Sequence, residues 1–403
     1  MPRPPGRAHP RRVPGSRETR AMGGGVNAAE SCRNITEAGT RVKGCFAMRM
    51  KFLAAAVLLT VFLEVRTARA AEPVDPHLIP EARAVLAYLE SIYGRKTLVG
   101  QNKFEHVEKA FRASGKYPAL ASVDLSGWSK TRWDDVYKRN LQAAIDRAKA
   151  WWVEKGGILS IEWHWANPMQ DGGDFKHTQP KGTERPDVGK MVTPGTPEHA
   201  AAMEEMKRHA DYLQQLLDAR VPVLWRPLHE IEGGWFWWTD EKTPENTAAL
   251  WRMMFDYLVK DRKLHHLIWV YSAALKAGNQ GKDVVAVDYR KRFYPGDAYV
   301  DIAGIDIYIN NWFGWGDYRK DAYPKAFEIM SRVAPSKMLA LCECQGIPDP
   351  EILAKDGPKW LYVLPWYVGD KPDWNPPEWV KQVYPHEALI TLDELPDLKR
   401  AKR

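Results

Sequence analysis

The chain has 403 residues, 45% hydrophobic and 27% charged, which supplies a large core and excludes a disordered polymer. Its formal charge is +7, but residues 1–70 hold 13 Lys and Arg against 4 Asp and Glu, leaving 45 against 47 for the rest. The basic character belongs to the leader, so the body lacks the electrostatic footprint of a nucleic-acid binder.

Residues 1–47 are rich in Arg, Pro and Gly and show neither helical nor strand periodicity. They read as a start codon assigned too far upstream or as a disordered extension. "MRMKFLAAAVLLTVFLEVRTARA", Met48 to Ala70, has a basic start, an apolar stretch and an Ala68-x-Ala70 ending, the pattern of an export signal cleaved before Ala71. Its apolar run falls short of the roughly 20 residues of a spanning helix, so secretion or periplasmic release is expected, with no stable membrane insertion after cleavage.

From residue 97 short apolar runs alternate with amphipathic segments. The predicted strands are 97–101, 118–125, 157–165, 221–230, 266–272, 299–309, 337–343 and 360–368, with helical patterns such as "KFEHVEKAFRAS" and "PEHAAAMEEMKRHADYLQQLLDA" between them. Eight strands with crossovers long enough for parallel pairing predict an α/β fold, a (β/α)8 TIM barrel forming one domain over 71–395 with a basic tail at 396–403. An open doubly wound sheet is the competing arrangement, but no Gly-rich phosphate loop follows the first strand, and polar residues recur at strand C-terminal ends.

Those ends carry chemistry in a barrel. They include Asp124, Trp163, His164, Arg226, His229, Glu230, Asp306, Tyr308, Glu343 and Trp366. Glu230 and Glu343 stand on strands three units apart, which a barrel places across its mouth, and a carboxylate pair is the equipment of a glycosidase. A rim salt bridge is the competing reading for either one. Strand alternation puts Arg226, Leu228 and Glu230 on one face and sets Glu343 inward between Cys342 and Cys344, which then face the helices. Both cysteines read as buried small hydrophobes.

His229 does not begin a zinc helix motif, because Gly233 stands four residues on, and no Gly-x-Ser-x-Gly elbow occurs. No metal or organic cofactor is expected. Of the eighteen tryptophans several, Trp163, Trp165, Trp235, Trp237, Trp238, Trp312, Trp315 and Trp366, fall in loops or strand ends where they suit flat platforms for sugar rings at the mouth, with core and rim packing the reading for some of them. Gly233 and Gly234 are expected to let "GGWFWW" present its rings to solvent.

"WRPLHEIEGGWFWW" resembles the strand-four signature of the family 26 glycoside hydrolases of clan A, and the likeness runs from 97 to about 385. The resemblance implies that Glu230 is the acid/base and Glu343, in "LALCECQGIPDP", the nucleophile. In "IEWHWANP" it makes His164 a contact for the sugar at the cleavage point, and in "GIDIYIN" it sets Asp306 and Tyr308 beside the nucleophile. Trp235 becomes a platform on the leaving-group side and Trp366 the one beneath the reacting sugar, while Trp163, Arg226 and His229 complete the expected binding set. The chain departs from the family in the Cys344-Gln345-Gly346 spacing and in "LPWYVGD". The implied activity is a retaining endo-hydrolase, most often a β-1,4-mannanase, with a polysaccharide or oligosaccharide as partner. Members acting on mixed-linkage β-glucan or β-1,3-xylan share the machinery, and a glycan-binding barrel without catalysis is the alternative from another class. Oligomeric state is not legible.

Overall fold

The computed structural model of the protein describes residues 72–275, 286–308, 317–369 and 374–400. The readings made for 1–47, for the signal at 48–70 and for Trp312 and Trp315 therefore lie outside the described residues.

Eight parallel strands form the barrel: β1 Thr97–Gln101, β2 Leu120–Asp124, β3 Ile158–Glu162, β4 Val223–Arg226, β5 Leu267–Leu275, β6 Ile302–Ile307, β7 Met338–Cys344 and β8 Tyr362–Pro365. They pair in sequence order, and β8 pairs with β1 and β1 with β2, which closes the ring. A short ninth strand, β9 Leu389–Ile390, adds to the start of β1. All eight predicted strands are present, most of them shorter than their apolar runs.

The helices α1 Pro80–Ile92, α2 Phe104–Ser114, α3 Asp135–Ala150, α4 Val188–Met191, α5 Pro197–Asp218, α6 Pro244–Phe255, α7 Val287–Phe293, α8 Pro324–Val333, α9 Pro350–Ala354 and α10 Pro377–Val383 surround the sheet. Their ends follow local chemistry. Asp134 accepts from Tyr137 N to start α3, and Thr196 accepts from His199 N ahead of Pro197 to start α5. The strands are buried on both faces, as a parallel barrel requires, and their apolar residues share one continuous core with the helices. Among the described residues no helix is long and apolar enough to cross a membrane. Leu398 is buried, so the chain still packs on the body well into the segment read as a tail.

One irregularity bears on the site. Along β6 and β7 the pairing runs Ile305↔Leu341 and then Asp306↔Glu343, so Cys342 is an extra residue in β7. The expectation that Cys342 faces the helices is corrected. Its Sγ lies 3.1 Å from the Tyr362 hydroxyl, and a Cβ on Gly304 would collide with it. The bulge interrupts strict alternation, so Cys342 and Glu343 both serve the interior. Burial pushes the Cys342 thiol up to about 12, and both cysteines are free and buried.

Candidate active site

Register builds the first layer of the site. Asp124 pairs with Glu162 across β2 and β3, Glu162 with Arg226 across β3 and β4, and Asp306 with Glu343 across β6 and β7. The Arg226 guanidinium, fully buried, sits among three of these carboxylates. Its Nη1 donates to Asp306 Oδ2 at 2.9 Å and its Nη2 donates to Glu343 Oε1 at 2.6 Å and to Glu162 Oε2. Ser272 Oγ donates to the other Asp306 oxygen at 2.6 Å. Burial raises both the Glu162 and the Asp306 carboxyls well above the usual range, against the lowering effect of Arg226. Glu162 is absent from the strand-end set read from sequence, and its signal there is parity, since it shares a strand face with His164.

Glu230 arrives by a different route. β4 ends at Arg226, and Leu228 and Glu230 take φ of +48° and +51°. Simple alternation from Arg226 to Glu230 therefore does not hold. Two left-handed turns, a conformation that costs a non-glycine residue of order 1 kcal/mol or more each, swing the Glu230 carboxyl over the mouth. The segment is held from behind by Ile231 N donating to Ser272 O at 3.1 Å and by a buried Glu232–Arg290 pair. Glu232 also accepts from Ala274 N at 3.1 Å, so this second carboxylate is an anchor for the loop.

Trp235 Nε1 donates to Glu230 Oε2 at 2.5 Å, and the ring lies so close over Gly233 that a Cβ there would collide with it. One carboxylate oxygen from each of Glu230, Asp306 and Glu343 lies within 4.8 Å of the other two. Tyr308 donates its hydroxyl to Glu343 Oε2. Burial, then the Glu343 charge, holds that phenol well above its usual pKa, so it remains a donor.

On the other side of the mouth Asp124 Oδ2 accepts from His164 Nδ1 at 2.9 Å, and His164 Nε2 lies 3.2 Å from His229 Nε2. With Nδ1 donating to the carboxylate, one proton is shared between the two facing Nε2 atoms. Asp124, in sequence a strand end, thereby fixes the orientation of the His164 ring.

The aromatic reading needs correction in two places. Trp163 is 2% exposed, stacks on Trp165 with centroids 4.4 Å apart and packs on His209, so it faces away from the mouth. Period two requires this, because Glu162 and His164 face in. The run Phe236, Trp237 and Trp238 is buried, not presented to solvent. Trp237 Nε1 donates to Trp165 O at 2.6 Å, and Trp238 Nε1 donates to His229 O at 3.2 Å. These rings brace the loop that carries His229 and Glu230. Trp235 and Trp366 are the half-buried ones, and Trp366 lines the cavity.

That cavity, about 220 Å³, is lined by His164, His229, Glu230, Tyr308, Glu343 and Trp366, with Phe175, Phe236, Tyr367 and Trp374. Donor atoms of Asp124, Glu162 and His164, of Glu162, His229 and Glu343, and of the Glu230 trio are close enough to hold a cation. Arg226 already bonds Glu162, Asp306 and Glu343 and supplies positive charge there.

The profile of Glycosyl hydrolase family 26 matches residues 74–394. The chain belongs to glycosyl hydrolase family 26. This family 26 chain is 34% identical over 331 residues to a mannan endo-1,4-beta-mannosidase of Thermothelomyces thermophilus, covering 80% of this chain and 62% of that protein. It is 28% identical to mannan endo-1,4-beta-mannosidase B of Piromyces sp, over 80% of this chain and 53% of that one. It thus spans less than two thirds of the length of these curated relatives. Among solved structures it superposes on the Podospora anserina GH26-CBM35 beta-(1,4)-mannanase with TM-score 0.68 and 29% identity, covering 81% and 69% of the two chains. The β-mannanase from a symbiotic protist of the termite Reticulitermes speratus, solved with a gluco-manno-oligosaccharide, gives TM-score 0.67 and 30% identity over 81% of this chain and 97% of that one.

Proposed function

We propose that this family 26 chain is a retaining endo-hydrolase of β-1,4-mannan, with Glu230 as acid/base and Glu343 as nucleophile. The observation that carries the reading is that the two carboxylates converge on one cavity, with an oxygen of one within 4.8 Å of an oxygen of the other. Carboxyl groups about 5–5.5 Å apart suit double displacement, whereas inversion needs about 6.5–9.5 Å to admit a water. Mannan is preferred as substrate because the named relatives are mannan endo-1,4-beta-mannosidases.

In the first step Glu343 attacks the anomeric carbon while Glu230 gives its proton to the glycosidic oxygen, and the leaving chain departs as an alcohol. In the second, Glu230 takes a proton from water, which displaces Glu343 from the sugar. Arg226 and Tyr308 orient Glu343 and favour its ionised form before attack. When Glu343 becomes an ester its charge is lost, and Arg226 keeps Glu162 and Asp306 as partners, so no buried cation is stranded. His164 and His229 line the cavity from the β3 and β4 side with their rings held to each other and to Asp124, and Trp366 offers a ring face beneath the reacting sugar. The chemistry assigned to these residues uses no metal or organic cofactor. The signal-like pattern at 48–70 supports action outside the cytoplasm.

Reducing ends released from mannan, mixed-linkage β-glucan and β-1,3-xylan test the proposal. Release from mannan at the highest kcat/KM supports it. Preference for one of the others moves the substrate and keeps the mechanism, and binding of all three without release makes the barrel a glycan binder.

A further inference from the structure

The loop after Glu230 bends back on itself through two glycines. Gly233 lacks a side chain where the Trp235 ring lies on its backbone, and Gly234 takes φ of +85°. These residues let the indole fold over the carboxylate, and the same backbone freedom allows it to swing away. The bond from Trp235 Nε1 to Glu230 Oε2 therefore needs support from outside the glycines. The later half of the loop has such support from β3 and the chain beyond it, since Trp237 N donates to Thr178 O at 3.0 Å and Trp237 Nε1 to Trp165 O at 2.6 Å.

The half next to Glu230 is held by Arg185, a half-buried residue of the long connection between β3 and α4. Its Nη1 donates to Gly234 O at 3.1 Å, and its Nη2 donates to Phe236 O at 2.7 Å and to Thr239 O at 2.8 Å. Gly234 and Phe236 are the two neighbours of Trp235, so one guanidinium fixes the chain on both sides of the indole. Thr239 in turn donates through Oγ1 to Ile231 O at 2.9 Å, which ties the far end of the loop back beside Glu230.

Arg185 is itself held at its root. Pro186 favours extended backbone in the residue before it, and Arg185 has φ −69° and ψ 127°. Asn167 Nδ2 donates to the carbonyl of the preceding Glu184 at 2.9 Å. Burial lowers the guanidinium pKa, and Glu241 and Asp240 oppose that effect. Three carbonyls in different directions suit the planar fork of an arginine, where a lysine supplies a single point of charge.

We propose that Arg185 is a positioning residue for proton transfer, acting on Glu230 through the Trp235 indole that it pins in place. This rests on the hydrolase reading for what Glu230 does. With Oε2 held by the indole, the carboxyl keeps one orientation from which to protonate the glycosidic oxygen, and general acid catalysis requires that geometry. Loosening the loop lets the carboxyl turn and costs the step that needs its proton.

Two variants test the role. Arg185→Lys keeps the charge and loses the fork, and Trp235→Phe keeps a ring and loses the N–H. Each is compared with the wild type in thermal unfolding, so a folding defect is recognised separately. kcat/KM, which reads the first displacement, is measured on a linear β-1,4-manno-oligosaccharide and on a dinitrophenyl β-manno-oligosaccharide, whose leaving group needs no proton. Arg185→Lys is expected to fall about tenfold or more on the natural linkage and less than about twofold on the aryl substrate. Added to Trp235→Phe, it is expected to cost less than about twofold on either, because the two changes remove one interaction. Equal losses on both substrates, no loss on either, or a full further loss in the double variant overturns the role.

The indole N–H resonance of Trp235, assigned by its disappearance in Trp235→Phe, needs no turnover. Arg185→Lys is expected to shift or broaden it, and an unmoved resonance overturns the role. Failure of the wild type to cleave either substrate would sink the hydrolase reading, and this resonance would still decide whether Arg185 holds the indole.

Discussion

Arg226 and Glu343 are joined by a 2.6 Å bond from Nη2 to Oε1, deep in the barrel, and Glu162 and Asp306 share the same guanidinium. The proposed nucleophile is thus one corner of a buried charge cluster built by register between neighbouring strands, and its behaviour depends on that cluster.

Replacing Arg226 by Met leaves three buried carboxylates without their cation. Breaking a buried pair from one side costs about 3–5 kcal/mol, so urea unfolding of Arg226→Met is expected to show a loss of that size together with a fall in kcat. A variant as stable and active as the wild type would remove Arg226 from the account.

Tyr308→Phe deletes the hydroxyl that donates to Glu343 and keeps the ring. A hydrogen bond to a charged group is worth about 1.5–3 kcal/mol, which predicts a fall in kcat of roughly ten- to hundredfold with little change in melting temperature. Unchanged kcat contradicts the orienting role.

Asp124→Asn keeps the shape beside His164 but gives up one of two acceptor oxygens. In the wild type, imidazole nitrogen NMR is expected to show His164 protonated on Nδ1. In the variant that tautomer loses its preference, and kcat falls more than KM rises, because the rings keep their places and lose their proton order. The same tautomer in both proteins would make Asp124 a packing residue only.

His266 is buried and neither ring nitrogen has a hydrogen-bond partner among the described residues. Burial, helped by His265, lowers its pKa from 6.5 to about 3. Between those values the unfolded chain holds a proton that the folded chain refuses, so this residue makes stability fall as pH drops below 6.5. His266→Phe lacks the term. Relative to wild type the variant is expected to gain about 2 kcal/mol on going from pH 7 to pH 5, as read by denaturant unfolding at each pH. A difference that does not change with pH refutes the assignment.

Where periodicity governs, the sequence was legible. The apolar runs placed all eight strands, and the polar residues at their ends named both glutamates, Arg226, Asp306 and Tyr308. It failed where backbone departs from period two or where a residue type has two uses. Alternation sets Cys342 on the wrong face because the β7 bulge lies in hydrogen bonding between strands, which composition does not record. Alternation also predicts Glu230 inward, while the backbone brings it there through two left-handed residues. Trp163 at a strand end reads as a platform, although parity with Glu162 and His164 turns it outward. Phe236, Trp237 and Trp238 read as exposed because apolar rings in a loop look the same whether they meet a ligand or brace the loop behind a carboxylate. Asp124 and Glu162 emerged only with the pairing of β2, β3 and β4.

The sharing of one reaction by Glu230 and Glu343 is tested most directly by trapping the covalent intermediate. A manno-oligosaccharide carrying fluorine at C2 and a good leaving group slows the second displacement, and intact-mass measurement reads one sugar added per chain. The account predicts that peptide sequencing places the adduct on Glu343, and that Glu230→Ala still forms it because that leaving group needs no proton. An adduct on another residue, or hydrolysis of natural substrate with first products of inverted anomeric configuration, would contradict it.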